Sequence, residues 1–132
     1  MLKKKCKDMI IWSSIGVCNE VIFTAITEYY DNDNIKLTGY SYIWLIPIYS
    51  LLPLLFTIID TINKNIFIKV LLISLIIMCC EFSYGLLLQK IAICPWEENY
   101  KLSYYTIYNV VRLDYFPFWY VISFIWYQIW KL

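Results

Sequence analysis

The sequence predicts an all-α membrane protein, a four-helix transmembrane bundle, and three observations indicate this fold class. Of the 132 residues, 61 % are hydrophobic and 16 % are charged, which is more apolar and less charged than soluble domains usually are. The apolar residues fall into four long blocks separated by polar stretches. Most lysines lie at positions that would share one side of a four-span topology. We therefore expect a single transmembrane domain over residues 1–132.

Four spans are predicted, over residues 9–29, 40–59, 66–88 and 115–130, with residues 89–114 as an outer loop. The first three spans have the roughly 20 residues that a helix needs to cross a hydrocarbon core of about 30 Å. The fourth span is shorter, so we expect it to cross nearly upright or to use its flanking aromatic residues.

Both termini are expected to be cytosolic, because lysines and arginines in short loops concentrate on that side of a membrane. The N-terminus, the second loop and the C-terminus together carry Lys3, Lys4, Lys5, Lys7, Lys64, Lys69 and Lys131. On the other side, the basic residues are diluted by acidic ones.

Span one has a stripe of small and polar residues at helical spacing, formed by Ser13, Gly16, Glu20, Thr24 and Thr27. Small residues allow helices to approach closely in lipid, so Glu20, next to Asn19, should point at another helix. Two interpretations of Glu20 stay open. It is either a hydrogen-bonded carboxyl group that fixes the bundle, or a ligand or proton site.

Spans two and three each carry a residue type that is unusual inside a membrane. Pro47 and Pro53 of span two remove backbone hydrogen bonds and are expected to bend the helix. Span three carries Glu81, with Gly85 one turn further on the same face, and an ionisable group at membrane depth indicates a site that faces the protein interior. We expect Glu20 and Glu81 to meet and share a proton, because two close carboxylates in a low dielectric cannot both ionise.

The outer loop begins with a Cys-Pro-Trp turn that ends at Pro95 and Trp96. Its aromatic residues suit a membrane interface. The stretch Tyr104–Leu113 is too short to cross, so it is predicted to be an interfacial or re-entrant segment. For Arg112, two positions stay open: it reaches inward to a buried carboxylate, or it stays exposed and pairs with Asp114.

The two halves of the chain match each other at two places. Cys18-Asn19-Glu20 corresponds to Cys79-Cys80-Glu81, and Ile46-Pro47 corresponds to Phe116-Pro117. Spans one and three would run in the same direction, so these matches predict a parallel repeat of two helical hairpins.

On these residues the chain resembles the transmembrane protein 229 family, which is grouped with bacterial proteins labelled as ABC-transporter permeases of CmpB type. The matching stretches are GVCNEVIFTAITEY, GYSYIWLIPIYSL, CCEFSYGLLLQKIAICPW and DYFPFWYVISF. The resemblance implies a four-span integral membrane protein with no established biochemical activity. Its signature residues here would be Glu20, Glu81, Gly85, Pro95 and Trp96. After the turn the chain departs from the family, because it has no glycine beyond Gly85.

Several function classes lack support in the sequence. A net charge of +1 gives no basic patch for nucleic acid, and no nucleotide-binding motif is present. Five cysteines without CxxC spacing and the absence of histidine indicate no metal site, and no cofactor is expected. Without histidine there is no Ser/His or Cys/His nucleophile pair, so we expect no catalytic residue and no enzyme activity.

Two functional hypotheses follow. In the first, the protein is a small multi-pass integral membrane protein without catalytic activity, a structural or partner subunit in a membrane complex. Its partners would be the lipid bilayer and either other membrane proteins or further copies of itself. In the alternative, it is a proton- or cation-coupled carrier or permease component that uses the paired carboxylates of Glu20 and Glu81.

Overall fold

A computed structural model describes residues 1–132 and is mostly helical, with 73 % of the residues in helices, which fits the predicted all-α fold. The helices are α1 (Leu2–Asn32), α2 (Ile46–Ser50), α3 (Leu52–Asp60), α4 (Ile66–Lys90), α5 (Glu97–Tyr100) and α6 (Phe116–Lys131). Two short strands, β1 (Thr106–Ile107) and β2 (Val111–Arg112), form an antiparallel pair in the outer loop.

Three helical segments are long and apolar enough to cross a membrane: Leu2–Asn32, Ile43–Asp60 and Ile66–Lys90. In their most apolar windows only 22 %, 22 % and 28 % of the residues are buried inside the protein. Most residues of these windows are therefore at least partly exposed, which is compatible with contact to lipid. The fourth predicted span forms α6, whose 16 residues are fewer than the roughly 20 of a typical crossing.

The chain forms two compact units, Met1–Leu55 and Phe56–Leu132. In the first unit, the polar stripe of α1 faces the segment that precedes and includes α2. The Ser13 hydroxyl lies 3.4 Å from the carbonyl oxygen of Ile46. The Thr24 hydroxyl donates to the Tyr40 carbonyl (2.9 Å) and accepts from the Tyr40 N–H (2.8 Å). The stripe is therefore a packing surface of α1.

Gly16 allows the ring of Tyr49 to lie directly against the backbone of α1. A Cβ atom at position 16 would overlap the ring carbons of Tyr49. Because Tyr49 is only 3 % exposed, its ring has little room to withdraw. The absence of a side chain at Gly16 therefore sets how closely α2 approaches α1.

The second span is interrupted at Leu51, between α2 and α3. Pro53 has no N–H with which to bond the carbonyl group one turn earlier, so the helix cannot continue through this point without a break. Pro47 is the second residue of α2 and follows a 3₁₀ turn at Ile43–Leu45. A proline is favourable at such a helix start, because its fixed φ suits the first turn.

The start of α6 has the same form. A 3₁₀ turn at Leu113–Tyr115 precedes it, and Pro117 is its second residue. The residues before the two 3₁₀ turns also have similar backbone angles, φ −120° and ψ 137° at Tyr42, and φ −112° and ψ 117° at Arg112. The two proline-containing helix starts thus share one local conformation.

In the second unit, α4 packs against α6. Ser74 of α4 is fully buried, and its hydroxyl donates to the Val70 carbonyl (2.8 Å) and lies 3.4 Å from the Trp119 carbonyl oxygen of α6. Ser123 of α6 is also fully buried. Small side chains at these positions allow the two helices to approach closely.

Two local structures define the conformation of the outer loop: the C-terminal end of α4 and a β-hairpin. At the end of α4, the N–H of Ile93 donates to the Leu88 carbonyl (3.0 Å) and Ala92 has a left-handed φ of 59°, which is the geometry of a Schellman motif. The hairpin of β1 and β2 turns at Tyr108 and Asn109, which have φ values of 51° and 58°. The hairpin lies within Tyr104–Leu113, the predicted interfacial segment. The predicted all-α fold had no strand there.

We predict that Gly16→Ala destabilises the first unit, because the added methyl group overlaps the buried Tyr49 ring. Overpacking of this kind costs about 1–3 kcal/mol, which should lower the thermal unfolding midpoint of the purified protein in detergent. Cys18→Ala is the matched control, since Cys18 is exposed on the same helix and its change should leave the midpoint almost unaltered. Equal midpoints for the two variants would contradict this packing.

Candidate functional site

Glu20 is half-buried on α1 and accepts a hydrogen bond from the hydroxyl group of Tyr49, with an oxygen–oxygen distance of 2.5 Å. The donor belongs to α2, 29 positions further along the chain. The same tyrosine packs its ring on Gly16, one turn before Glu20. The ring and the hydroxyl group of Tyr49 therefore both hold α2 against the same face of α1.

Asn19 lies next to Glu20 but, unlike Glu20, has an unsatisfied polar atom. Its side-chain nitrogen Nδ2 is buried and has no hydrogen-bond partner. A buried donor without an acceptor costs free energy, so it is unusual in a native structure. The packing of the first unit therefore leaves this polar atom, next to Glu20, without a partner.

Glu81 is half-buried on α4 and accepts a hydrogen bond from the hydroxyl group of Tyr100, at 2.8 Å. Tyr100 is the last residue of α5, in the outer loop. The carboxylate of Glu81 therefore holds the outer loop against α4, just as that of Glu20 holds α2 against α1.

Trp96 and Gly85 both contact Val110, in the hairpin of β1 and β2. Trp96 is 5 % exposed, and its indole N–H donates to the Val110 carbonyl (2.9 Å). A Cβ atom at Gly85 would lie 2.7 Å from the Val110 side chain and 3.3 Å from the Trp96 ring. Pro95 precedes the tryptophan and is half-buried. The hairpin therefore rests on α4 at the point where α4 has no side chain.

Arg112 pairs with Asp114. Its Nη2 and Nε atoms donate to the two carboxylate oxygens, Nη2 at 2.5 Å and Nε at 3.1 Å, while Nη1 donates to the Tyr115 hydroxyl (2.7 Å). The guanidinium carbon lies 4.0 Å from the centre of the Tyr115 ring. Of the two alternatives for Arg112, the structure thus has the pair with Asp114, but the Arg112 side chain is half-buried and not exposed as that alternative expected.

A continuous series of contacts links the half-buried carboxylate of Glu81 to this ion pair. Tyr100, the donor to Glu81, packs edge-on against Tyr115 with ring centres 6.0 Å apart. Tyr115 in turn accepts from Arg112. The end of α5 is therefore connected to the residues just before α6 through the side chains of Tyr100, Tyr115 and Arg112.

The structure brings together some of the predicted site residues but not all of them. Gly85, Trp96 and the hairpin that carries Arg112 lie in one cluster of the second unit. Glu20 belongs to the first unit and Glu81 to the second, and each has a tyrosine of its own unit as a donor. The expected meeting of Glu20 and Glu81 stays a prediction.

The remaining titratable groups of the chain include no cluster of potential metal ligands. No three cysteine, aspartate or glutamate residues come together as a metal site would require. Burial raises the pKa of the Cys94 thiol above its ordinary value of 9.0, and this effect exceeds the opposite effect of the backbone N–H groups of Trp96 and Glu97. Cys94 therefore carries a protonated thiol near neutral pH, which is a weak nucleophile.

Sequence reasoning missed the two tyrosine donors, Tyr49 and Tyr100. Nothing in their local sequence distinguishes them from the other tyrosines of the chain, which number 13.

No protein-family model matches the chain, and no solved structure matches it.

We predict that the outer hairpin becomes less protected at acid pH. The Arg112 guanidinium lowers the pKa of Asp114 below its ordinary value of 3.8. The carboxylate therefore contributes stability above pH 3.8, and this contribution is lost as the pH falls through the lower pKa of the folded state. Amide hydrogen exchange of residues 106–112, corrected for intrinsic rates, should accelerate over that interval.

Asp114→Asn is the control for this pH effect, because it removes the titrating group and keeps the side-chain shape. Its hairpin should be less protected near neutral pH and should lose the additional acid sensitivity. An unchanged acid response in Asp114→Asn would show that another group is responsible.

Proposed function

We propose that this protein is a small multi-pass integral membrane protein without catalytic activity, which acts as a structural or partner subunit of a membrane complex. The observation that carries this proposal is that each intramembrane carboxylate accepts a hydrogen bond from a tyrosine of a neighbouring element. Glu20 is bonded by Tyr49 and Glu81 by Tyr100. Both carboxylates thus have a structural task that needs no substrate.

Membrane energetics support this interpretation. A carboxylate inside an apolar helix is costly unless it has hydrogen-bond donors. Hydrogen bonds to charged groups contribute about 1.5–3 kcal/mol in proteins, which is enough to fix the relative positions of two helices. A residue used in this way also selects one packing arrangement among several, because other arrangements would leave the charge without a donor.

The complete architecture that we propose is a four-helix transmembrane bundle with both termini in the cytosol. The three long helices provide three crossings, and α6 would provide the fourth with the help of its aromatic side chains. The shared conformation of the two proline-containing helix starts supports a parallel repeat of two hairpins. The division into units that contain α1 with α2 and α4 with α6 also agrees with such a repeat.

We further propose that the chain belongs to the transmembrane protein 229 family. The support is the resemblance in sequence around Glu20, Glu81 and the Cys-Pro-Trp turn. The structural roles of Gly85 and Trp96 beneath the outer hairpin give a physical reason why these two residues would be signature positions.

A second candidate function is a proton- or cation-coupled carrier or permease component. The observation that favours it is the buried, unpartnered Nδ2 atom of Asn19, which leaves a polar group next to Glu20 that the fold does not use. This candidate requires Glu20 and Glu81 to act as a pair in binding the transported species.

Glu20→Gln and Glu81→Gln, made singly and together, distinguish the two functions. A structural role predicts lower yield in the membrane and a lower unfolding midpoint, because the charge-assisted hydrogen bond from the tyrosine is weakened. Glu28→Gln and Glu98→Gln are matched controls, since both glutamates bond exposed neighbours close in sequence, and they should behave like the wild type. The measurements are thermal unfolding in detergent and proton uptake into proteoliposomes.

The structural proposal is wrong if the Glu20 and Glu81 variants fold, insert and assemble normally yet lose a proton or cation flux that the wild type shows. Purification of the wild type in mild detergent provides a separate test of the partner role. A chain that is always recovered alone and monomeric would contradict that role.

A further inference from the structure

Residues of α4 and α6 meet at the carboxylate of Asp60, the last residue of α3. Its Oδ1 atom accepts hydrogen bonds from the Tyr127 hydroxyl of α6 (2.5 Å), from Lys131 Nζ at the end of α6 (3.2 Å) and from Lys69 Nζ of α4 (3.4 Å). Lys69 Nζ also donates to the backbone carbonyl of Asp60 (3.1 Å). We refer to Asp60, Lys69, Tyr127 and Lys131 as the Asp60 cluster.

The Asp60 cluster carries an excess of positive charge. Two ammonium groups share one carboxylate oxygen, so one positive charge remains without a matching anion. The side chain of Lys131 is 47 % exposed, and only one of its three N–H donors reaches a protein acceptor. Lys69 is more enclosed, with 13 % of its side chain exposed. The cluster is thus a cationic site that is open on the Lys131 side.

The position of the cluster is that of a membrane–water boundary. Asp60 ends one of the segments able to cross a membrane, and Lys69 lies in the first turn of the next. Trp130 stacks on Tyr127 with ring centres 5.9 Å apart, and aromatic rings with polar atoms concentrate at such boundaries. Large apolar side chains near these helix ends are exposed, among them Ile58, Phe67 and Ile129.

A cationic group beside exposed apolar side chains matches a phospholipid with a negatively charged head group. The phosphate would accept hydrogen bonds from Lys131 and Lys69, while the acyl chains would cover the exposed apolar side chains. Lysines next to the membrane attract anionic lipids of the cytosolic leaflet, and the predicted orientation places this end of the helices in that leaflet.

We infer that the Asp60 cluster is a binding site for the phosphate of an anionic phospholipid, with Lys131 as the main contact and Lys69 as the second. This inference requires that the chain resides in a membrane, but it does not depend on the structural role of Glu20 and Glu81. In this site Asp60 has a positioning task, because it holds the two ammonium groups at the ends of different helices.

The test is thermal unfolding of the full chain in detergent with added lipid. Phosphatidylglycerol should raise the unfolding midpoint more than phosphatidylcholine does. Lys131→Gln should weaken the response to phosphatidylglycerol about fivefold in apparent affinity, since one lysine near an anionic surface contributes about 1 kcal/mol. Lys131→Arg should restore it. Lys36→Gln, at an exposed lysine of the first unit, is the control and should respond like the wild type.

Three outcomes would overturn the inference. If Lys131→Gln and the wild type respond equally, the cluster does not bind the lipid. If inorganic phosphate alone reproduces the shift, the site binds a small anion and has no preference for lipid. Native mass spectrometry of the wild type provides a measurement that needs no variant, and retention of phosphatidylglycerol no greater than that of phosphatidylcholine would also reject the site.

Discussion

A carboxylate in an apolar helix requires a hydrogen-bond donor, and in both compact units of this protein a tyrosine provides one. Tyr49 donates to Glu20 and Tyr100 donates to Glu81. In each case the donor comes from a later part of the chain, so that the hydrogen bond closes a long loop. The requirement of the carboxylate for a donor thereby determines which segment packs against the helix that carries it.

A glycine lies one turn from each glutamate and allows a neighbouring segment to pack directly against the helix. Gly16 precedes Glu20 and accommodates the ring of Tyr49, while Gly85 follows Glu81 and accommodates Val110 beside Trp96. At Gly16 the packed residue is also the hydrogen-bond donor, so a larger residue there would push Tyr49 away from the helix and lengthen its hydrogen bond to Glu20. At Gly85 the packed residues belong to the hairpin and the turn before it, whereas the donor to Glu81 comes from α5.

The length of the apolar blocks was sufficient to predict the long helices, and the prolines were sufficient to predict an irregular second span. The donors of Glu20 and Glu81 were not predictable, because the reach of a tyrosine side chain depends on the exact turn that precedes it. The hairpin was missed for a related reason. Its turn uses Tyr108 and Asn109 at positive φ, whereas the usual signal for such a turn includes glycine. Arg112 and Asp114 are two positions apart, so their pairing was among the expected alternatives.

Glu20 and Tyr49 stabilise the fold as a coupled pair, and a double-mutant cycle tests this coupling most directly. Thermodynamic stability in detergent would be measured for Glu20→Gln, Tyr49→Phe and the double variant. The account predicts a coupling free energy of about 0.5–3 kcal/mol, so that the double variant is little less stable than either single variant. Strictly additive losses, with no coupling between the two positions, would contradict it.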